Sequence, residues 1–163
     1  MCWAGLAVAL LALLTIARYA RKAINQALLQ IRSNSMSKNI KTVPTQDYNA
    51  VIAVAQQYAD GLRVGSPDIL EQAFHKEAVM YGFTNGELLG GPISNLFDFV
   101  RTNGKAPDIS TRLDVLAITP TTAVVRVDME KDAIGADYND YLTLIKIDGT
   151  WKVIAKVYHQ FEG

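Results

Sequence analysis

The closing stretch of the chain, Tyr138 to Gly163, constrains the fold more than any other part. Apolar and polar residues alternate from Tyr138 to Ile147 and again from Thr150 to His159, with Asp148-Gly149 between them. A period of two marks a strand with one buried face, and Asp-Gly favours a two-residue hairpin turn. With Ile147 opposite Thr150, a uniform register puts Leu142 and Leu144 beside Trp151, Val153, Ala155 and Val157. Further from the turn the same face carries Asp140, Tyr138 and His159, with Tyr138 directly opposite His159. The other face holds Tyr141, Thr143, Ile145 and Ile147 against Thr150, Lys152, Ile154, Lys156 and Tyr158. The first face is the more apolar and is assigned to the interior. A bulge at Gly149 would shift one strand and separate these pairs.

An acid and a histidine on an apolar face need partners, because burying either alone is costly. Asp140 and His159 are therefore candidates for a proton-transfer pair. The structural alternative leaves both solvated at the sheet end or bonded to backbone.

Upstream, Tyr48, Val51, Ile52, Ala55, Tyr58, Ala59 and Leu62 fall on one stripe and predict a helix from Asp47 to about Arg63, capped by Thr45. Tyr58 is a core aromatic on that stripe, yet its hydroxyl requires a partner. Ser66-Pro67-Asp68 starts a second, short helix ending near Phe74, with His75 as a cap at its end. Ala78 to Phe83 and Glu87 to Leu89 read as a hairpin. Ile93, Leu96, Phe97 and Val100 mark a third helix. Arg112 to Ile118 and Ala123 to Glu130 are further strands, the second with Ala123, Val125, Val127 and Met129 facing inward. Helices come first and strands last, which indicates an α+β domain with an antiparallel sheet.

Charge divides the chain. Residues 1–41 hold Arg18, Arg21, Lys22, Arg32, Lys38 and Lys41 and no acid, whereas residues 42–163 hold all 16 acids. The acidic domain lacks the cationic surface that nucleic acid requires. The extension, residues 1–41, has an apolar run from Trp3 to Ala17, short for a full bilayer span of about 20 residues unless residues through Ala20 are drawn in. Its basic flank follows the run, so a membrane anchor would keep the domain on the cytoplasmic side. The alternative is a start assigned too far upstream, with Met36 the ordinary beginning. One cysteine, Cys2, permits no intrachain disulfide. The two histidines are far apart and lack Cys or Glu at ligand spacing, so neither a metal nor a cofactor is expected. Nucleophile elbows and phosphate loops are missing as well.

The run Tyr58-Ala-Asp60-Gly61-Leu62-Arg63, then Asp68-Ile-Leu70 and Ala73-Phe74-His75 with Ala78 and Met80, resembles the nuclear transport factor 2-like superfamily. The end, from Asp137-Tyr138-Asn-Asp140 through Asp148-Gly149-Thr-Trp151 to Lys156-Val-Tyr158-His159, is similar to its lumazine-binding branch, among the SnoaL- and ketosteroid-isomerase-like members. The resemblance covers Thr45 to His159. It implies a cone of about three helices over a curved sheet, enclosing an apolar cavity, and a homodimer through the outer sheet face. Ketosteroid isomerase relatives use a tyrosine on the first helix to polarise a carbonyl, and Tyr58 stands at the similar position. Their catalytic aspartate is replaced here by Tyr81-Gly82, which argues against the same isomerisation. Dehydratase and cyclase relatives place His and Asp on late strands, where Asp140 and His159 stand.

Three functions follow as expectations. The first is a small-molecule binder holding a planar heteroaromatic of the lumazine or pterin type, with Tyr58, Tyr138, Trp151, Phe97, Met80 and Tyr81 around it and Asp140 as acceptor. The second is a cofactor-independent lyase or isomerase acting on a hydrophobic ring compound, with His159 as base, Asp140 orienting it and Tyr58 as electrophile. The third is a non-catalytic structural dimer.

Overall fold

The computed structural model describes residues 16–29 and 43–162, and the chain divides between Lys41 and Thr42 into two units. Residues 16–29 form a helix, α1, with every side chain exposed. Among the described residues no helix is long and apolar enough to cross a membrane. The apolar run from Trp3 lies outside the described residues except for Ile16 and Ala17.

The second unit begins with helix α2, Thr45–Val64. The helix starts at Thr45 itself, with Pro44 in the cap position, not Thr45. The expected stripe is its buried face: Val51, Ala55, Tyr58, Ala59 and Leu62 all turn inward. Gly65 ends the helix in the left-handed conformation at φ 69°, its N–H bonded back into the last turn. Helix α3, Pro67–Ala73, begins on Ser66, whose side chain accepts from the Ile69 N–H. It stops one residue before strand β1, Phe74–Thr84, so His75 lies in a strand and does not cap the helix. Its Nδ1 accepts from the Glu77 N–H at 3.1 Å.

Asn85 and Gly86, at φ 51° and 78°, form the turn into β2, Glu87–Pro92. Helix α4, Ser94–Asn103, buries Leu96, Phe97 and Val100 as the spacing predicts. Strands β3, Ser110–Ile118, β4, Thr122–Glu130, β5, Tyr138–Ile147, and β6, Thr150–Gln160, complete the sheet. The strand order is β2-β1-β6-β5-β4-β3. All pairs are antiparallel except β1 with β6, which is parallel, so the sheet is mixed where an antiparallel one was expected. A parallel pair needs a long crossover, and everything between β1 and β6 supplies it.

The hairpin turn is the predicted one: Asp148 and Gly149 take φ 49° and 79°, and Ile147 pairs with Thr150. The register then runs as expected through Leu144 and Val153. There it breaks. Thr143 pairs with Ala155, leaving Ile154 as an extra residue on β6, and every later pair is offset by one. A similar bulge on β3 leaves Leu116 extra between Val115 and Ala117. Bulges bend and twist a strand locally, and these curve the sheet around α2 and α4.

The core lies between the concave sheet face and the three helices. Trp151 is buried there, as expected, beneath the start of α2. Its indole N–H points to Asp47 Oδ1 at 3.4 Å, and Lys146 Nζ donates to the same oxygen at 2.7 Å. These bonds clamp the first turn of α2 to the final hairpin. They also hold the Asp47 carboxyl below its ordinary value of 3.8, the Lys146 hydrogen bond being the largest cause. A depressed folded-state pKa contributes stability above the unfolded value that vanishes as pH falls through the folded value. Asp47→Asn is therefore expected to lower the Tm at neutral pH. Wild type and variant should converge as pH drops below about 3.8, read by thermal unfolding across a pH series.

Candidate functional site

The bulge at Ile154 decides which side chains meet. Before it, Trp151 and Val153 face the core. After it the alternation is inverted, so Lys156 and Tyr158 face inward while Val157 and His159 face out. The uniform register predicted the opposite. Asp140 pairs with Tyr158, and His159 pairs with Asn139 on one side and Phe83 on the other. The expected pairing of His159 with Asp140 is thereby overturned. His159 is exposed, its ring 5.0 Å edge-on to Phe161, beside a shallow surface recess with Phe83, Gly86, Gln160 and Glu162.

Asp140 finds different partners. The Tyr58 hydroxyl, from the buried stripe of α2, donates to Oδ2 at 2.5 Å. Lys156 stands opposite Leu142, two pairs nearer the turn on the same face, and reaches diagonally so that Nζ lies 2.9 Å from Oδ1. All three are buried: Asp140 is 0% exposed, Tyr58 1% and Lys156 4%. Oδ1 holds the ammonium as an ion pair but receives no aligned hydrogen bond, leaving a lone pair open to a proton. Lys156 Nζ also lies 4.2 Å from the centroid of the Tyr158 ring, a cation–π contact in a dry setting. Tyr138 meets Tyr158 edge-on at 6.2 Å.

This group lines a cavity of about 440 Å³, within the range of about 300–1,000 Å³ typical of small-molecule sites. The remaining wall is mostly apolar. Leu62 comes from α2, Met80 from β1, Leu96, Phe99 and Val100 from α4, and Met129 from β4. The loop between β4 and β5 adds Ala133 and Ile134. That loop is held by its own bonds: Asp132 Oδ1 accepts from the Ile134 and Ala136 N–H groups, and Asp137 Oδ1 from that of Lys131.

Electrostatics assign the protons. Burial, then the neighbouring Asp140 charge, holds the Tyr58 phenol well above its usual range, so it stays a neutral donor. Burial, followed by the Asp132 carboxylate, likewise raises Tyr138. Among the described residues no three His, Cys, Asp or Glu side chains gather as a metal site would require.

Of the expected site residues, Tyr58, Asp140, Tyr138 and Met80 line the cavity. Four do not. His159 and Tyr81 face outward, Tyr81 with its ring laid over Gly90. Trp151 is buried against Asp47, and Phe97 is in the core edge-on to Phe74 at 6.2 Å. Sequence reasoning missed Lys156 and Tyr158, which it placed on the outer face. One signal could have found Lys156: a buried aspartate demands a cation, and Lys156 is a basic residue within one register step of it.

A curved mixed sheet closed over an apolar cavity by three helices defines an NTF2-like protein. Within that class the chain belongs to the family described as "Putative lumazine-binding", which matches residues 46–159. The aldolase FrzH of a Cladobotryum species is 40% identical over 121 residues, covering 74% of this chain and 97% of FrzH. An NTF2-like protein from Shewanella baltica superposes with a TM-score of 0.70 at 28% identity, covering 76% of this chain and all of the other. Another, from Methylobacillus flagellatus, gives 0.69 at 29%, covering 74% and 96%.

Gly82 keeps this arrangement in place. A Cβ there would come within 2.2 Å of the Tyr158 carbonyl oxygen and 2.5 Å of its ring. Gly82→Ala is thus expected to cost about 1–3 kcal/mol by overpacking and to shift the Tyr158 ring off Lys156. Denaturant unfolding reads the first effect and near-ultraviolet circular dichroism the second. Removing one member of the buried pair, by Lys156→Met or Asp140→Leu, should cost about 3–5 kcal/mol each. The double variant should lose much less than the two together, as a double-mutant cycle would show.

Proposed function

We propose that this protein is a cofactor-independent enzyme of carbonyl chemistry, taking a proton from the carbon beside a carbonyl and making or breaking a carbon–carbon bond in the aldol sense. The observation that carries this reading is the buried Tyr58–Asp140–Lys156 chain on the wall of a mostly apolar cavity. Aldol chemistry needs a carbonyl oxygen supplied with a proton and an adjacent carbon relieved of one. The chain has a neutral donor in Tyr58, an ammonium in Lys156 and a carboxylate between them to take and return the proton. Burial of all three groups against an apolar wall strengthens each of these interactions. The likeness to FrzH, named an aldolase, supports the same reaction class.

The expected lyase or isomerase reading survives in altered form. Tyr58 keeps the role of electrophile, Asp140 passes from orienting the base to serving as the base, and Lys156 is added as a second donor in place of the outward-facing His159. A second reading, that the cavity holds a flat heteroaromatic without turning it over, is supported by the family's description and by Tyr58, Tyr138, Tyr158 and Phe99 around the space. Self-association through the outer sheet face fits Tyr81, Val157 and Tyr141, a row of cross-strand neighbours 42–54% exposed.

The test is exchange of α-hydrogens for deuterium in small cyclic and acyclic ketones, followed by NMR. Wild type should catalyse exchange, and Asp140→Asn and Tyr58→Phe should each lose about 10²–10⁴-fold, the usual worth of a positioned acid or base. Absence of exchange in wild type, together with a rise in Tm on adding lumazine, would favour the binder.

A further inference from the structure

We infer that Lys156 is a covalent catalyst, its amine condensing with the substrate carbonyl to form a Schiff base. The inference deepens the reaction class proposed above and rests on it, but it makes a separate claim about one atom.

Four observations converge on Nζ. The side chain is 5% exposed and that of Asp140 1%, so the ion pair is held out of bulk water. Both line the cavity. Asp140 Oδ1 is 2.9 Å away with a lone pair open, so the proton has a direct destination. Tyr58 is held as a neutral donor on the other carboxylate oxygen, so a proton source also lies beside the reacting carbonyl. Finally, the Tyr158 ring lies 4.2 Å from Nζ, where its negative face holds the positive charge of the ammonium and would hold that of the iminium alike.

The step balances. Lys156 gives one proton to Asp140, and the freed nitrogen lone pair attacks the carbonyl carbon, forming a C–N bond as the C=O electron pair moves to oxygen. That oxygen takes a proton from Tyr58. The nitrogen, positively charged after attack, loses a proton that restores Tyr58, and the carbinolamine oxygen receives the proton stored on Asp140. It departs as water while the nitrogen lone pair forms C=N⁺. The sum is an ammonium and a carbonyl giving a protonated imine and water. The iminium acidifies the neighbouring C–H, Asp140 accepts that proton, and the resulting enamine attacks a second carbonyl, whose oxygen takes the proton back from Asp140 as the iminium re-forms. Water then hydrolyses the iminium and restores the lysine.

Pentane-2,4-dione serves as the probe, since a neutral amine condenses with it to a conjugated enaminone with loss of one water. The wild-type chain is incubated with the dione, and intact mass, near-ultraviolet absorbance and peptide mapping are followed. Deuterium exchange into a simple ketone is measured in parallel. The expected result is one adduct of dione minus water, mapped to Lys156 and abolished in Lys156→Arg. Lys156→Arg keeps the ion pair and so guards against loss of fold, and a Tm close to wild type verifies this. In that variant exchange should fall at least 100-fold. Modification spread evenly over surface lysines such as Lys105 and Lys152 would overturn the inference. So would exchange in wild type without any adduct, and that outcome leaves the aldol-type reading standing. Neither adduct nor exchange would remove both.

Discussion

A single buried carboxylate organises this domain. Asp140 is fully withdrawn from water, a state tolerated only when a hydrogen-bond donor and a positive charge lie close. Those partners come from opposite ends of the chain: Tyr58 on the first helix of the unit and Lys156 on the last strand. Satisfying Asp140 therefore requires the helix to lie across the sheet at one depth and the last strand to present its lysine inward. The cavity, the sheet curvature and the cover given by Tyr158 all belong to arrangements that meet this condition. A purely structural core would do better with hydrophobic residues of the same volume. Three interacting polar groups on the wall of a cavity are what the proposed chemistry draws on.

Much of the fold was legible because it rests on period and punctuation. The helical stripe from Val51 to Leu62, the Ser66-Pro67 start, the inward run from Ala123 to Met129 and the Asp148-Gly149 turn are local signals, and each element formed where its signal stood. The parallel pairing of β1 with β6 was not legible, since nothing local distinguishes a strand that will pair with its neighbour from one that will cross to a distant partner.

The site was half legible for a different reason. Asp140 and Tyr58 were recognised as polar groups on apolar faces, and both line the cavity. Reading beyond Val153 failed because a bulge has no reliable sequence mark, and one extra residue exchanges the two faces of everything after it. Ile154 is apolar and fits either side, so composition gave no warning. The same shift exchanged His159 for Tyr158 and Val157 for Lys156. Trp151 and Phe97 were placed inside correctly, yet a buried aromatic contributes to packing far more often than to a cavity wall.

The sheet is assembled around its youngest member. β6 lies between β1 and β5, so until it emerges from the ribosome the two halves of the sheet have no common neighbour. Both β1 and β5 then offer unpaired backbone to any passing strand, the condition under which chains aggregate. Contacts so remote along the polymer are slow to form because loop closure must precede them. The Tyr58–Asp140–Lys156 cluster thus comes together only after translation has passed Lys156, when the architecture is nearly closed.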